Sequence, residues 1–411
     1  MILTSKKIFV IISFACFFLF SLNAAAENFE YRHIAGMRYR ILSVVDQSVL
    51  INGTLSHTSQ ILNRIAVEVT EANNGTGHHS ATYQTSERVI YDSQQRTQNP
   101  ASVFQWEMEY DSEFERDRLG YITIRPNYFM PMVRNVPVFT GRSLRPGDTW
   151  NTEAHEVHDF RDAFGIQEPY RIPFRAFYQY LGEREWKGRM YPAFSVTYNV
   201  ETRPASAAGR MHPTRISSSY NMTIFWDREN GLEKAYTGTS RITFEMSDGR
   251  ILQFNTQSEA ELIEAEVMNR EQLATEIAEE INRLAIPDVT VREVEEGISI
   301  SLDDIRFQPD SARMLPGEQQ KLDRVAEILM RYPDRDIMVS GHTALAGTEA
   351  GRMSLSQDRA RAVAEYLLSR NVRTADRMVT RGFGAERPVA DNNTEEGRRL
   401  NRRVEITILE N

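Results

Sequence analysis

Ile337-Met338-Val339-Ser340-Gly341-His342-Thr343-Ala344 is a short apolar run that breaks into a glycine turn, and Leu355-Ser356-Gln357-Asp358-Arg359-Ala360 follows it. The first run has the length and composition of a buried strand. Ser356 is a residue type that caps helix N-termini, and Ala360, Val363 and Leu367 recur after it at helical spacing. We therefore expect a helix from Ser356 to about Asn371, with Arg359 in its first turn. A third block, Gly397-Arg398-Arg399-Leu400-Asn401-Arg402-Arg403, leads into Val404 to Ile408, which alternates as a final strand.

Working back along the chain, Val289 to Val294 is strand-like, Glu296-Gly297 marks a turn, and Ile298, Ile300 and Leu302 alternate. Pro316 suits the opening of a helix whose Leu322, Val325, Ala326 and Leu329 share one face before Pro333. Strands separated by helices over residues 288–411 predict an α+β sandwich, with helices packed on one face of a sheet. Ahead of it, Leu273, Ile277, Ile281 and Leu284 fall on one helical face with glutamates opposite, and Pro287 stops the run. This predicts an acidic amphipathic helical linker over residues 258–287.

Residues 27–257 carry strand and turn signals. Phe104, Trp106, Met108 and Tyr110 alternate with polar neighbours, as do Ile65, Val67 and Val69, and Met37, Tyr39 and Ile41. Asn230-Gly231 and Asp248-Gly249 are hairpin turns, because both residue pairs accept positive φ. The fold class is thus multi-domain: an antiparallel all-β domain, a helical linker and an α+β domain. The alternating runs look shorter than the 9–11 residues of a membrane-spanning strand, and Pro126, Pro131, Pro137, Pro173 and Pro192 interrupt several of them.

Residues 1–26 read as an export signal. Lys6 and Lys7 precede an apolar run from Ile8 to Leu22, and Ala24-Ala25-Ala26 offers a small-residue cleavage site. Cys16, the chain's single cysteine, falls inside this run, in a context poor for lipid attachment. Cleavage after Ala26 leaves an exported chain that can form no disulfide. With 48 Lys and Arg against 57 Asp and Glu, the net charge of -9 argues against nucleic acid as a partner.

The three blocks, with Phe307, Asp310-Ser311-Ala312, Gly382-Phe383-Gly384 and Pro388 to Asn392, resemble the OmpA-like, peptidoglycan-associating domain family of bacterial envelope proteins. The resemblance covers about residues 298–411. It implies non-covalent binding of the peptidoglycan stem peptide, centred on its diamino acid, and a periplasmic or outer-membrane-associated location. On that resemblance Arg359 matches the family arginine, Asp310 lies on a ligand-contacting loop, and His342 and Thr343 stand at the turn. Arg402 and Arg403 match the terminal motif. Two positions depart from the pattern: Ala344 replaces the usual acid, and Arg352 stands where an Asn often precedes Leu-Ser. Glu349 is a candidate replacement acid.

Other constellations are weaker. His155-Glu156-Val157-His158-Asp159 lacks the spacing that puts two imidazoles on one helical face, so we read surface histidines and no metal site. Asn74-Gly75-Thr76-Gly77-His78-His79 reads as a turn-rich loop. With no nucleophile–base pattern we expect neither enzyme activity nor a cofactor. Three functions follow: a wall-docked envelope protein linked to an outer-membrane or periplasmic partner, an OmpA-like scaffold that has lost its ligand, or a transmembrane barrel with a periplasmic wall anchor.

Overall fold

The computed structural model describes residues 26–93, 102–204, 211–264, 268–303, 305, 307–308, 311–315 and 317–410. The export signal and Cys16 lie outside these, as do Asp310 and Pro316. Among the described residues no helix is long and apolar enough to cross a membrane.

The first half is one antiparallel meander of strands 12 to 21 residues long. Across the sheet run Thr149–Phe160, Ile166–Trp186, Arg189–Thr202, Pro213–Asp227, Leu232–Met246, Ile251–Glu264, Arg38–Ile51, Thr54–Asn73, Thr76–Asp92 and Phe104–Asp117. The Asn230-Gly231 and Asp248-Gly249 turns join strands as expected, with φ of 62° at Gly231 and 85° at Gly249. The sheet curls until Tyr110 near one edge donates to Asp159 of the other at 2.7 Å. Its interior is filled: Phe29 and Tyr31 pack among Phe139, Tyr180, Phe194 and Trp226.

The strands are far longer than the alternation suggested, for a physical reason. Several inward positions are polar, including Ser43, Ser218 and the Ser240–Thr256 pair, whose hydroxyls meet at 2.6 Å. Each buried hydroxyl erases one apolar mark from the period-two pattern. Pro173 sits within a strand opposite His155, and Pro192 opposite Glu183. The outer row opposite those serines mixes Thr237, Thr239, Gln257, Glu259 and Glu261 with Leu42, Val44 and Ile263. A lipid-facing barrel needs an apolar row on that face, and strands of 12 to 21 residues exceed the length a membrane-spanning strand requires.

The predicted linker also needs correction. Ser258 to Glu264 complete a strand, and the helix covers only Arg270–Arg283, capped by Asn269. Its Leu273, Ile277 and Ile281 are buried in the core of the second half, so it belongs to that core. There the strands Val289–Val294, Gly297–Asp303, Arg403–Leu409, Ile337–Gly341 and Met378–Gly382 form the sheet. The helices Glu318–Leu329 and Glu349–Ser369 cover one face through Leu322, Val325, Val363 and Leu367. Met338, Val379 and Leu409 point to the other face and pack on Trp106 of the β domain. Burial on both faces is why Ile337-Met338-Val339 reads as a continuous apolar run.

The two halves are joined by more than apolar contact. Val379 and Thr380 pair in parallel with Phe104 and Gln105, so the sheets are continuous. Asp336, buried, accepts from Arg64 Nε and Arg377 Nε at 3.0 Å each, and Arg64 also donates to Asp376 O at 2.9 Å. Burial opposes ionisation of Asp336, but Arg64 and Arg377 outweigh it and hold its carboxyl below the usual range. Truncating one member of a buried ion pair strands the other charge, at a cost of about 3–5 kcal/mol. Asp336→Ala is expected to destabilise the chain by that amount in chemical denaturation, while Glu68→Ala, whose pair with Arg38 is exposed, stays within about 1 kcal/mol.

Candidate functional site

The site begins at a close crossing of backbone. A Cβ on Gly341 would collide with the backbone carbonyl of Ser356, and one on Gly382 would lie 2.7 Å from Ser356 Oγ. Ser356, fully buried, donates to Met353 O at 2.8 Å and accepts from Gly384 N–H at 2.9 Å. Its role is therefore to seat the helix on two strand ends. The N-cap is Thr348, whose hydroxyl accepts from Gly351 N–H at 3.1 Å, so the helix starts at Glu349. Arg359 consequently lies about 15 Å along the axis, near the end of the third turn, and not in the first turn as expected.

The terminal motif has a comparable explanation. Asn401, buried, accepts from Val389 N–H and Ala390 N–H and donates to Ala390 O, tying down the loop that precedes it. It also donates to Asn392 Oδ1, which accepts from Leu345 N–H at 3.0 Å. One amide network thus fixes the 388–392 loop against the turn that follows Gly341.

These elements frame an open groove of about 630 Å³. Thr343 and Ala344 from the turn, Thr348, Arg352 and Arg359 from the helix, and Arg398 and Arg402 from the short helix Glu395–Asn401 and its C-cap line it. Arg359 Nε donates to Ser311 O at 3.3 Å, and its guanidinium lies 4.9 Å from the Phe307 ring centre. Arg352 Nη1 donates to Gly347 O at 2.6 Å. Arg398 and Arg402 both pair with Glu395, at 2.8 and 3.0 Å. Among the described residues the acid lining the groove is Asp358, which pairs with Arg361 at 3.1 Å. Four guanidinium groups in one groove suit carboxylates, which they can grip in forked geometry.

Of the expected site residues, Arg359, Thr343, Ala344, Arg352 and Arg402 come together here. Asp310 is outside the described residues. His342 and Arg403 do not join the groove. His342 is buried, stacks on Phe383 at 5.3 Å, and stands 3.6 Å from Glu405; burial lowers its pKa. Arg403, 3% exposed, pairs with Glu405 at 2.7 Å and donates to Arg387 O. Glu349 is exposed in the first helical turn and lines no part of the groove. Arg398 was missed as a site residue, although its spacing of four from Arg402 signals a shared helical face.

The histidine motifs of the β domain also differ from expectation. Glu156 is buried, and His158, 10% exposed at its side chain, meets it at 2.8 Å. They face inward, so the reading of surface histidines fails for His158. His79 is likewise a strand residue, buried between His33 and Phe114 with its pKa driven down by burial to about 3. Among the described residues no three His, Cys, Asp or Glu side chains are grouped as metal ligands.

Comparison with known proteins places a match to the OmpA family over residues 306–402. The peptidoglycan-binding protein ArfA of Mycobacterium tuberculosis is 41% identical over 104 residues, which is 25% of this chain and 32% of ArfA. Outer membrane protein A of Bordetella avium is 41% identical over 106 residues, 26% of this chain and 54% of that protein. The solved structure of the cell wall anchor of the T6SS from Pseudomonas aeruginosa is 32% identical, covering 34% of this chain and 99% of that one with a TM-score of 0.29. This chain spans about a third of the length of ArfA.

Two outcomes test this geometry. Gly341→Ala forces the helix off its seat and is expected to cost at least the ~1–3 kcal/mol typical of overpacking, read by thermal denaturation. Burial would raise Glu405, but His342 and Arg403 outweigh it and bring its pKa from 4.5 to about 2. A depressed carboxyl stabilises the fold above the unfolded value and ceases to do so as pH falls through the folded one. Between pH 4.5 and 2 the wild type should lose about 3 kcal/mol more stability than Glu405→Gln, measured by denaturant titration at each pH.

Proposed function

We propose that the OmpA-family domain at residues 306–402 holds this chain non-covalently on peptidoglycan within the cell envelope. In this reading Arg359, with Arg352, Arg398 and Arg402, takes the carboxylates of the wall's stem peptide. The observation that carries it is the clustering of these guanidinium groups on one groove beside the Gly341 turn. Like charges held together repel, and an anionic ligand relieves that repulsion while gaining forked hydrogen bonds. ArfA, named as a peptidoglycan-binding protein, shares this part of the chain and supports the same role. The export signal read at residues 1–26 fits an envelope location. Among the described residues the groove is dominated by cations, which favours a binding role. The β-rich half would then stand on the wall and present its outer face to an outer-membrane or periplasmic partner.

Ala344 supports a second reading. It lines the groove where an acid would meet a ligand ammonium, and no carboxylate of Glu349 replaces it. A domain that has kept the fold and lost the ligand would be an interaction scaffold. Co-sedimentation with purified wall sacculi separates the two. Wild type should pellet with the wall, and Arg359→Ala should weaken binding at least about 30-fold, the effect of losing about 2 kcal/mol of a desolvated charge contact. Ala344→Asp should tighten binding to a wall whose diamino acid carries a free ammonium. Wild type left in the supernatant would establish the scaffold reading instead.

A further inference from the structure

A second cleft, of about 460 Å³, opens beside the arginine groove, and Ser354 and Asp358 line both. Unlike the groove, it is built by both halves of the chain. The Phe104–Asp117 strand supplies Gln105, Trp106 and Glu107; the Glu349–Ser369 helix supplies Met353, Gln357 and Arg361. Arg381, Phe383 and Glu386 complete the lining. The β-domain residues are fixed there by backbone pairing of Phe104 and Gln105 with Val379 and Thr380. Thr380 Oγ1 adds a bond to Phe104 O at 3.1 Å.

Its chemistry differs from that of its neighbour. Among the described residues the cleft sets Glu107, Asp358 and Glu386 against Arg361 and Arg381, close to neutrality, whereas the groove sets its arginines against Asp358. The cations are engaged internally. Arg361 pairs with Asp358 at 3.1 Å, and Arg381 lies 4.8 Å from the Trp106 ring centre and 4.7 Å from that of Phe383. Gln357 is oriented by donating to Thr380 Oγ1 at 2.9 Å. Amides, a serine hydroxyl and carboxylates offer donors and acceptors in many directions, and Met353 offers apolar surface beside the largely buried Trp106 and Phe383. That combination suits an uncharged polyhydroxylated ring, with hydrogen bonds to its edges and apolar contact to its C–H faces.

We propose that the interdomain cleft is a sugar subsite, which receives the N-acetylated sugar joined to the wall peptide whose carboxylates occupy the groove. The inference rests on the wall-binding reading and extends it: an anionic ligand segment continuous with a neutral polar one matches a cationic groove continuous with a near-neutral cleft. The β domain then contributes directly to wall recognition through Gln105 and Glu107.

Calorimetry on the full chain tests it with two probes, a free stem peptide and the same peptide bearing its disaccharide. Wild type should bind the disaccharide-peptide about tenfold tighter or more, a difference of about 1.4 kcal/mol. Gln105→Ala with Glu107→Lys should abolish that preference and leave affinity for the free peptide unchanged. Glu386→Lys, on the opposite wall and exposed, makes the same test should the double variant not fold. Equal wild-type affinity for the two probes, or a preference that survives these substitutions, overturns the sugar subsite and leaves peptide binding standing. Binding of neither probe overturns both readings.

Discussion

The site depends on a helix and two strand ends approaching at backbone distance. Gly341 and Gly382 lack the Cβ atoms that would hold Ser356 away, and Ser356 fills the gap with a hydroxyl that bonds on both sides. Because the helix is seated there, its open face presents Arg352 and Arg359 toward the turn that carries Thr343 and Ala344. Close packing gives such a crossing little freedom to adjust. The motif residues most visible in the sequence are therefore chiefly those that build the crossing, and the ligand-facing residues hang from it.

A similar division runs through the arginines. Arg403, Arg377 and Arg64 are held by carboxylates in buried or partly buried pairs and fix elements to one another. Arg352, Arg359, Arg398 and Arg402 face an open groove, where Glu395 offsets part of their charge. A guanidinium next to a buried carboxylate ties elements together, whereas Arg359 and Arg352 bond to Ser311 O and Gly347 O and still line the groove. His342 belongs to the first kind, enclosed by Phe383 and Glu405.

The junction between the halves changes what the second half can do. The face of its sheet opposite the helices is not left to solvent. Here Trp106 covers Met338, Val379 and Leu409, the Phe104 strand extends the sheet, and Asp336 bridges Arg64 to Arg377. The Phe104–Asp117 strand thereby lines a cleft together with the helix that also lines the groove.

Much of this was legible in the sequence. Ile298, Ile300 and Leu302, the helix face of Leu322 to Leu329, the strand into Gly341 and the Asn230-Gly231 and Asp248-Gly249 turns are local patterns, written by apolar period and by glycine's tolerance of positive φ. The length of the β strands was not legible, because inward hydroxyls at Ser43, Ser218 and Ser240 find partners or burial only in the closed sheet and look like outward residues in a linear reading. The start of the Glu349–Ser369 helix was misjudged because Ser356 carries a capping side chain whose use as a crossing residue depends on Gly384, far along the chain. Sequence alone determined the family resemblance, the elements with clean periodicity and the missing acid at Ala344. Tertiary structure alone decided which arginines face the groove, where Trp106 is buried and that both halves of the chain line one cleft, since each of these is set by contacts between residues distant along the chain.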